Sequence, residues 1–176
     1  QIPPDVAAVY VTPSHHAPTG ATMSMGRRKA LLDRAEADDF VIIEDDYDYE
    51  MSYAAPSLPA LRSLDRRGRV VYVGSFSKSI FPGLRLGYMT ADAQFIEHAR
   101  ALRTLTGRHP PGLTQRTVAY FLSEGHYNSH SRRMRTRMAR RNGVLREALE
   151  RHGLEPALER VTGGTTLWLN GPEGLD

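Results

Sequence analysis

In residues 69–89, RVVYVGSFSKSIFPGLRLGYM, a β-branched apolar run gives way within a few positions to hydroxyls, a lysine and a Pro-Gly turn. Arg69–Gly74 reads as a buried strand, Pro82-Gly83 as a turn and Arg85–Met89 as a further strand. Upstream, Phe40–Ile43 is a second apolar run, closed by the acidic cluster Glu44-Asp45-Asp46, and a helical turn around Leu58–Leu64 separates it from Arg69. Further upstream, Val6–Val11 lies between Pro3-Pro4 and Pro13 and reads as another buried strand. Pro13–Gly20, with two Pro, a Gly and two His, reads as a loop. Ser24 then caps a helix reaching about Asp38, with Ala30, Leu31 and Ala35 on its apolar face. This alternation is that of an α/β fold with a mostly parallel sheet and flanking helices. Such sheets bind ligands beyond the carboxyl ends of their strands, where Asp45 and Lys78 both fall.

From Asp92 onward the pattern turns helical. Asp92–Leu105 and Leu113–Ser123 are separated by the breaker Gly107–Gly112, and a long helix runs from about Tyr127 to His152. Its apolar stripe is interrupted near Arg141-Asn142-Gly143. Glu155–Leu169 reads as a hairpin turning at Gly163-Gly164 and opening a second domain. The division expected is therefore residues 1–145 and 146–176, with the boundary inside the long helix.

Composition narrows the classes. The chain has 176 residues, 40% of them hydrophobic and 24% charged, with no low-complexity tract, which excludes disordered and fibrous proteins. No apolar run approaches the ~18–20 residues of a membrane span, so no membrane partner is expected. The absence of cysteine excludes disulfide scaffolds and thiolate zinc sites and fits a cytoplasmic protein. No metal site is expected. Of the 23 basic residues only Lys29 and Lys78 are lysines, so an amine nucleophile has two candidates. The chain lacks an initiator Met and reads as a piece of something longer.

Ser75, Ser77, Lys78 and Arg85 place an amine beside hydroxyls and a guanidinium, donors suited to a phosphate. A partly desolvated lysine near a cation can attack a carbonyl carbon. The same residues also suit a surface lysine on a capped loop. Asp45 and Tyr47 read alone as a metal-ligating or solvated acidic loop. Read with Lys78, they supply a carboxylate for a pyridine nitrogen and a phenol for a phenolate oxygen, the partners that pyridoxal phosphate needs besides its lysine.

Three ordered motifs then match a family: TPSHHAPTG at 12–20, IEDDYDYE at 43–50 and GSFSKSIFPGLRLGY at 74–88. Together they resemble the fold-type I, class I/II pyridoxal-phosphate aminotransferases. More narrowly, they are similar to the aminotransferase-like domain of MocR-type, GntR-family transcription regulators. The resemblance extends through Gly125-His126 and Arg132-Arg133-Met134-Arg135. It implies the second half of a large cofactor domain plus the start of a small α+β domain. It gives Lys78 the internal aldimine and Asp45 the pyridine nitrogen. Tyr47 takes the ring oxygen, and Ser75, Ser77 and Arg85 take the phosphate. Pro18, Thr19 and Gly20 form a turn beside the cofactor. In free-standing aminotransferases an Asn usually precedes that Pro-Thr-Gly; here it is Ala17, as the regulators also lack the Asn, with His15 or His16 as substitute donors. The resemblance also implies a glycine-rich loop, a stacking aromatic and a winged helix-turn-helix before Gln1, a carboxylate-gripping arginine after Asp176, and a homodimer.

Three functions follow as alternatives. The first is the effector domain of a regulator, which forms an aldimine with an amino acid or amine and meets DNA only through an upstream domain. The second is an aminotransferase working on an amino acid and a 2-oxo acid. The third is a nucleic-acid module built on the long helix, where Arg132, Arg133, Arg135, Arg137, Arg140, Arg141, Arg146 and Arg151 cluster. A solvated face or subunit contact explains that cluster better, because arginine is this chain's default cation and no recognition-helix pattern accompanies it. Ala17 and the Glu44–Glu50 motif favour the regulator.

Overall fold

A computed structural model describes residues 2–3, 5–158 and 161–171. Strand β1 (Ala8–Val11) leads through helix α1 (Met25–Ala37) to β2 (Val41–Asp45). A single turn at Tyr49–Met51 and the short α2 (Leu61–Leu64) connect β2 to β3 (Val70–Ser75). The one-turn α3 (Phe76–Ser79) and a turn at Pro82–Leu84 precede β4 (Gly87–Thr90). Helices α4 (Ala93–Thr106), α5 (Gly112–Ser123) and the 26-residue α6 (His126–Arg151) follow.

The four strands stand in the order β1-β2-β3-β4. The first three are parallel, in the register Val9–Ile42 and Ile42–Val70, while β4 runs antiparallel to β3. The fourth strand is thus the exception to the mostly parallel reading, for a reason of length. A parallel return needs a crossover of a dozen or more residues, and Phe76–Leu86 supplies one turn of helix and a tight bend. The α/β class, with flanking helices, is as expected.

Ser24 caps α1 as read, its hydroxyl accepting from the Arg27 amide at 3.4 Å. Ala35, Phe40, Ile42, Leu61 and Val70 form the core, with Val9, Val11, Leu31 and Leu32 packed against it. Ala30 is exposed, and Arg28 takes the buried place on that helix. Three local readings need correction. The first strand begins at Ala8 rather than Val6 and is not buried, since Tyr10 remains 61% exposed. The second extends through Glu44 and Asp45 instead of ending before them. The fourth starts at Gly87, because Arg85 adopts a left-handed conformation (φ 47°) that no strand accommodates.

The expected hairpin is also different. Its arms meet at Pro156 and Leu169, with the Ala157 amide donating to Trp168 O at 2.8 Å, but no ladder forms among the described residues. Gly163 instead pairs with Ser52, and the Gly164 amide donates to Met51 O at 3.0 Å. Part of the would-be hairpin, Glu159 and Arg160, lies outside the described residues. Among the described residues, no helix is long and apolar enough to cross a membrane.

Candidate functional site

The carboxyl ends of β2 and β3 bring the expected residues to one edge. In register, Asp45 lies opposite Val73, so β3 passes Asp45 and continues through Gly74 to Ser75. Ser75 caps α3, its hydroxyl oxygen accepting from the Ser77 amide at 3.2 Å. That short turn brings Lys78 to the loop that follows β2. Its ammonium nitrogen stands 3.9 Å from the centroid of the Tyr47 ring. A cation over a phenol face is an attractive contact worth roughly 0.5–2 kcal/mol.

Asp45 is held from the other side. The hydroxyl of Tyr10, on β1, donates to its Oδ2. This bond pushes the Tyr10 phenol up to about 12. Tyr47 donates its own hydroxyl to the backbone oxygen of His15 at 3.2 Å, which ties the β2 loop to the loop after β1. Burial, and then the nearby carboxylates led by Asp48, push the Tyr47 phenol up.

The Pro18–Gly20 turn is closed by its own bonds. The Gly20 amide donates to His16 O at 2.6 Å, and the Ala17–Pro18 peptide is cis. Gly20 sits at φ +75°, a conformation that suits glycine. His16 Nδ1 lies 2.8 Å from Thr19 Oγ1. His15 is turned inward, its Nδ1 3.0 Å from Asp48 Oδ1 and its Nε2 3.4 Å from Ser52 Oγ. Its side chain is thereby committed to the interior, and it is the His15 carbonyl that faces Tyr47. Arg85 is exposed, on the turn that leads into β4.

Beneath this edge lies a charged layer that sequence reasoning missed. Arg28 and Glu44 are both fully buried, with Arg28 Nη1 3.9 Å from Glu44 Oε1. Arg28 donates to the carbonyls of Met23, Pro59 and Pro13 at 2.8–3.0 Å. Glu44 accepts from the amides of Leu61 and Arg62 at 2.7 and 2.8 Å. Burial pushes the Glu44 carboxyl up, while those amides and Arg28 pull it back. Asp46, 3% exposed, is pushed up to about 6 by burial, with the Ser14 hydroxyl acting in the opposite direction. The spacing Arg28, Leu31, Leu32, Ala35 is a helical face and was the available signal for the buried arginine. Tyr10 had no such signal, since its partner depends on the pairing of β1 with β2.

The chemistry of this edge is specific. An amine, a carboxylate and a phenol converge there, with two hydroxyls on the cap and turn of α3. No group of three or more His, Asp or Glu side chains among the described residues is placed to hold a metal ion. A family model described as aminotransferase class I and II matches residues 2–169. The regulator TauR of Rhodobacter capsulatus is 51% identical over all of this chain, which covers 36% of that protein. The probable rhizopine catabolism regulatory protein MocR of Rhizobium meliloti is 39% identical over 85% of the chain and 30% of its own length. Among solved structures, Pyrococcus horikoshii kynurenine aminotransferase is 32% identical, with a TM-score of 0.91 over 97% of this chain and 43% of that one. The α-aminoadipate aminotransferase LysN of Thermus thermophilus, complexed with N-(5'-phosphopyridoxyl)-L-leucine, is 30% identical, with a TM-score of 0.86 over 94% and 43%. The chain therefore spans less than half of each of these relatives. Sheet order, the lysine after β3 and a family match along nearly the whole length agree: the chain belongs to the aminotransferase class I and II family.

Proposed function

We propose that this chain is part of the pyridoxal-phosphate-binding effector domain of a MocR-type transcription regulator, which senses an amino acid or amine. The observation that supports it most is the convergence of Lys78, Tyr47 and Asp45 at one strand edge, in a chain 51% identical to a helix-turn-helix regulator. When bound, pyridoxal phosphate supplies an aldehyde for an amine and a ring that withdraws electrons. The residues fit that group. Lys78, on a turn at the site edge, would provide the amine that bonds it. Asp45 would hold a proton on the ring nitrogen, and the Tyr47 hydroxyl, whose one proton goes to His15 O in this structure, would turn it to the ring oxygen. The Ser75 oxygen already accepts from the Ser77 amide, so its own proton is left to donate to a phosphate, together with the Ser77 hydroxyl and the Arg85 guanidinium. Pro18, Thr19 and Gly20 would wall the site as a prefolded turn. With His15 bonded to Asp48 and His16 to Thr19, neither histidine replaces the missing Asn through Nδ1.

The same reading assigns a homodimer, DNA contact through a domain outside this chain, a cytoplasmic location and a domain boundary near residue 145 inside α6. A free-standing aminotransferase is the second reading, supported by the solved enzymes of similar fold. Higher identity to the regulators, and Ala17 in place of Asn, favour the first. The test uses the full-length protein loaded with pyridoxal phosphate and a panel of amino compounds. A regulator shows an amine-dependent change in binding to DNA from upstream of its own gene. Sustained turnover with a 2-oxo acid, and no DNA binding, would establish the enzyme instead.

A further inference from the structure

Asp45 is the last residue of β2, where the strand gives way to a loop, and its carboxylate is gripped from the neighbouring strand. Tyr10 stands opposite Ile43 in the β1–β2 register. Asp45 lies two residues further along β2, on the same face of the sheet, a diagonal that a long aromatic side chain spans. The Tyr10 hydroxyl donates to Asp45 Oδ2 across that diagonal. Tyr10 is 61% exposed in this chain, so burial is not what holds it there.

We propose that Tyr10 is a positioning residue for Asp45: by donating to Oδ2 it fixes the plane of the carboxylate and leaves Oδ1 for the ring nitrogen of the cofactor. The proposal rests on the cofactor reading above. Two consequences follow from the bond. A carboxylate held in one orientation loses less freedom when it meets the ring. A donor on one oxygen also drains charge from the other, so Tyr10 sets how firmly Asp45 holds the nitrogen's proton. The phenol, raised to about 12, stays protonated and remains a donor across the physiological range. Tyr47 approaches Asp45 from the loop after β2, and Lys78 from α3 stands over the Tyr47 ring. The effect of Tyr10 must therefore be separated from theirs by working through Asp45 itself.

The experiment compares full-length wild type, Tyr10→Phe, Asp45→Asn and the double variant. Each is titrated with pyridoxal phosphate, and both the dissociation constant and the absorption band of the bound cofactor are recorded. Because the bond is already made without cofactor, its loss removes only the ordering and polarisation of Asp45, which predicts a dissociation constant raised roughly three- to tenfold in Tyr10→Phe, with a displaced band. In the Asp45→Asn background the same change should move neither quantity further. The ring is retained and only one hydroxyl is removed, so cofactor-free wild type and Tyr10→Phe should melt close together. An equal loss in both backgrounds, or no loss in the wild-type background, overturns the proposal. Wild type that fails to bind the cofactor would defeat the cofactor reading itself, whereas wild type that binds while Tyr10→Phe is indifferent defeats only the role of Tyr10.

Discussion

The Lys78 ammonium and the Tyr47 ring are in van der Waals contact, 3.9 Å from nitrogen to centroid, although 31 positions separate them in the chain. Parallel pairing of β2 with β3 and the turn at α3 create that contact. Both lysines are exposed, so it is this ring contact at the strand edge, and not burial, that sets Lys78 apart from Lys29 on α1.

Lys78→Ala should therefore abolish borohydride-trappable attachment of pyridoxal phosphate in the full-length protein, and Lys29→Ala should leave it intact. Mass spectrometry of reduced, digested protein reads the attachment site directly. Label found on Lys29 would end the assignment.

In the proposed site, Asp45→Asn removes the charge that would face the ring nitrogen while keeping the shape. Charge-assisted hydrogen bonds contribute about 1.5–3 kcal/mol, so the cofactor's dissociation constant should rise at least roughly tenfold. The bound cofactor's spectrum should change with it. Retained affinity and an unchanged band would show that no carboxylate at this position meets the nitrogen.

Arg28→Met leaves Glu44 buried without its cation. Breaking a buried pair in this way typically costs about 3–5 kcal/mol. Here three backbone carbonyls also lose their donor. Urea unfolding at neutral pH should show that loss, and a change under 1 kcal/mol (roughly the range of exposed pairs) would mean that the pair is solvated in solution.

Asp46 gives a pH dependence of defined sign. Its folded-state carboxyl is raised from 3.8 to about 6, so between those values the native state holds the proton more firmly than the unfolded chain. Stability from this group is full below about pH 4 and falls as pH rises towards 6, by about 3 kcal/mol in all. Asp46→Asn should therefore gain on wild type between pH 4 and 7 in urea titrations. A difference that stays constant with pH would refute the shift.

Gly163 is packed where no side chain fits. An added Cβ would lie 2.1 Å from Met51 O, 2.7 Å from Ser52 Cα and 2.9 Å from His15 Nε2. Gly163→Ala should lever residues 161–166 away from the site loop, at a cost of about 1–3 kcal/mol. Faster amide exchange confined to 161–171 and 51–54 is the expected signature.

Much of this architecture was legible from short-range pattern. Ser24 before a helix, β-branched runs before Asp45 and Ser75, and Pro82-Gly83 before β4 are all local signals, and each places its element to within a few residues. The misreadings share another cause. The burial of Arg28 is masked in the sequence because its charge hides the helical face it shares with Leu31, Leu32 and Ala35, and Glu44 and three carbonyls make that burial tolerable. Tyr10 on Asp45 and Gly163 against Met51 depend on strand register and on a contact across more than a hundred residues, and neither has a local signature. The mostly parallel sheet has its one antiparallel strand at β4, where the short link from β3 leaves no room for a crossover.

Helix α6 is continuous through the Arg141–Gly143 interruption, 26 residues from His126 to Arg151. At 1.5 Å per residue it is a rod about 39 Å long. Near its start Tyr127 donates to Glu50, next to the turn that receives Gly163 and Gly164, and beyond its far end the chain returns to that turn. The start of the rod is thus pinned beside the loop that follows Asp45 and Tyr47. A tilt of about 5° at the pinned end would swing the other by about 3 Å on that length. A small tilt where Tyr127 meets Glu50 would thus be read out as a larger displacement near Arg151.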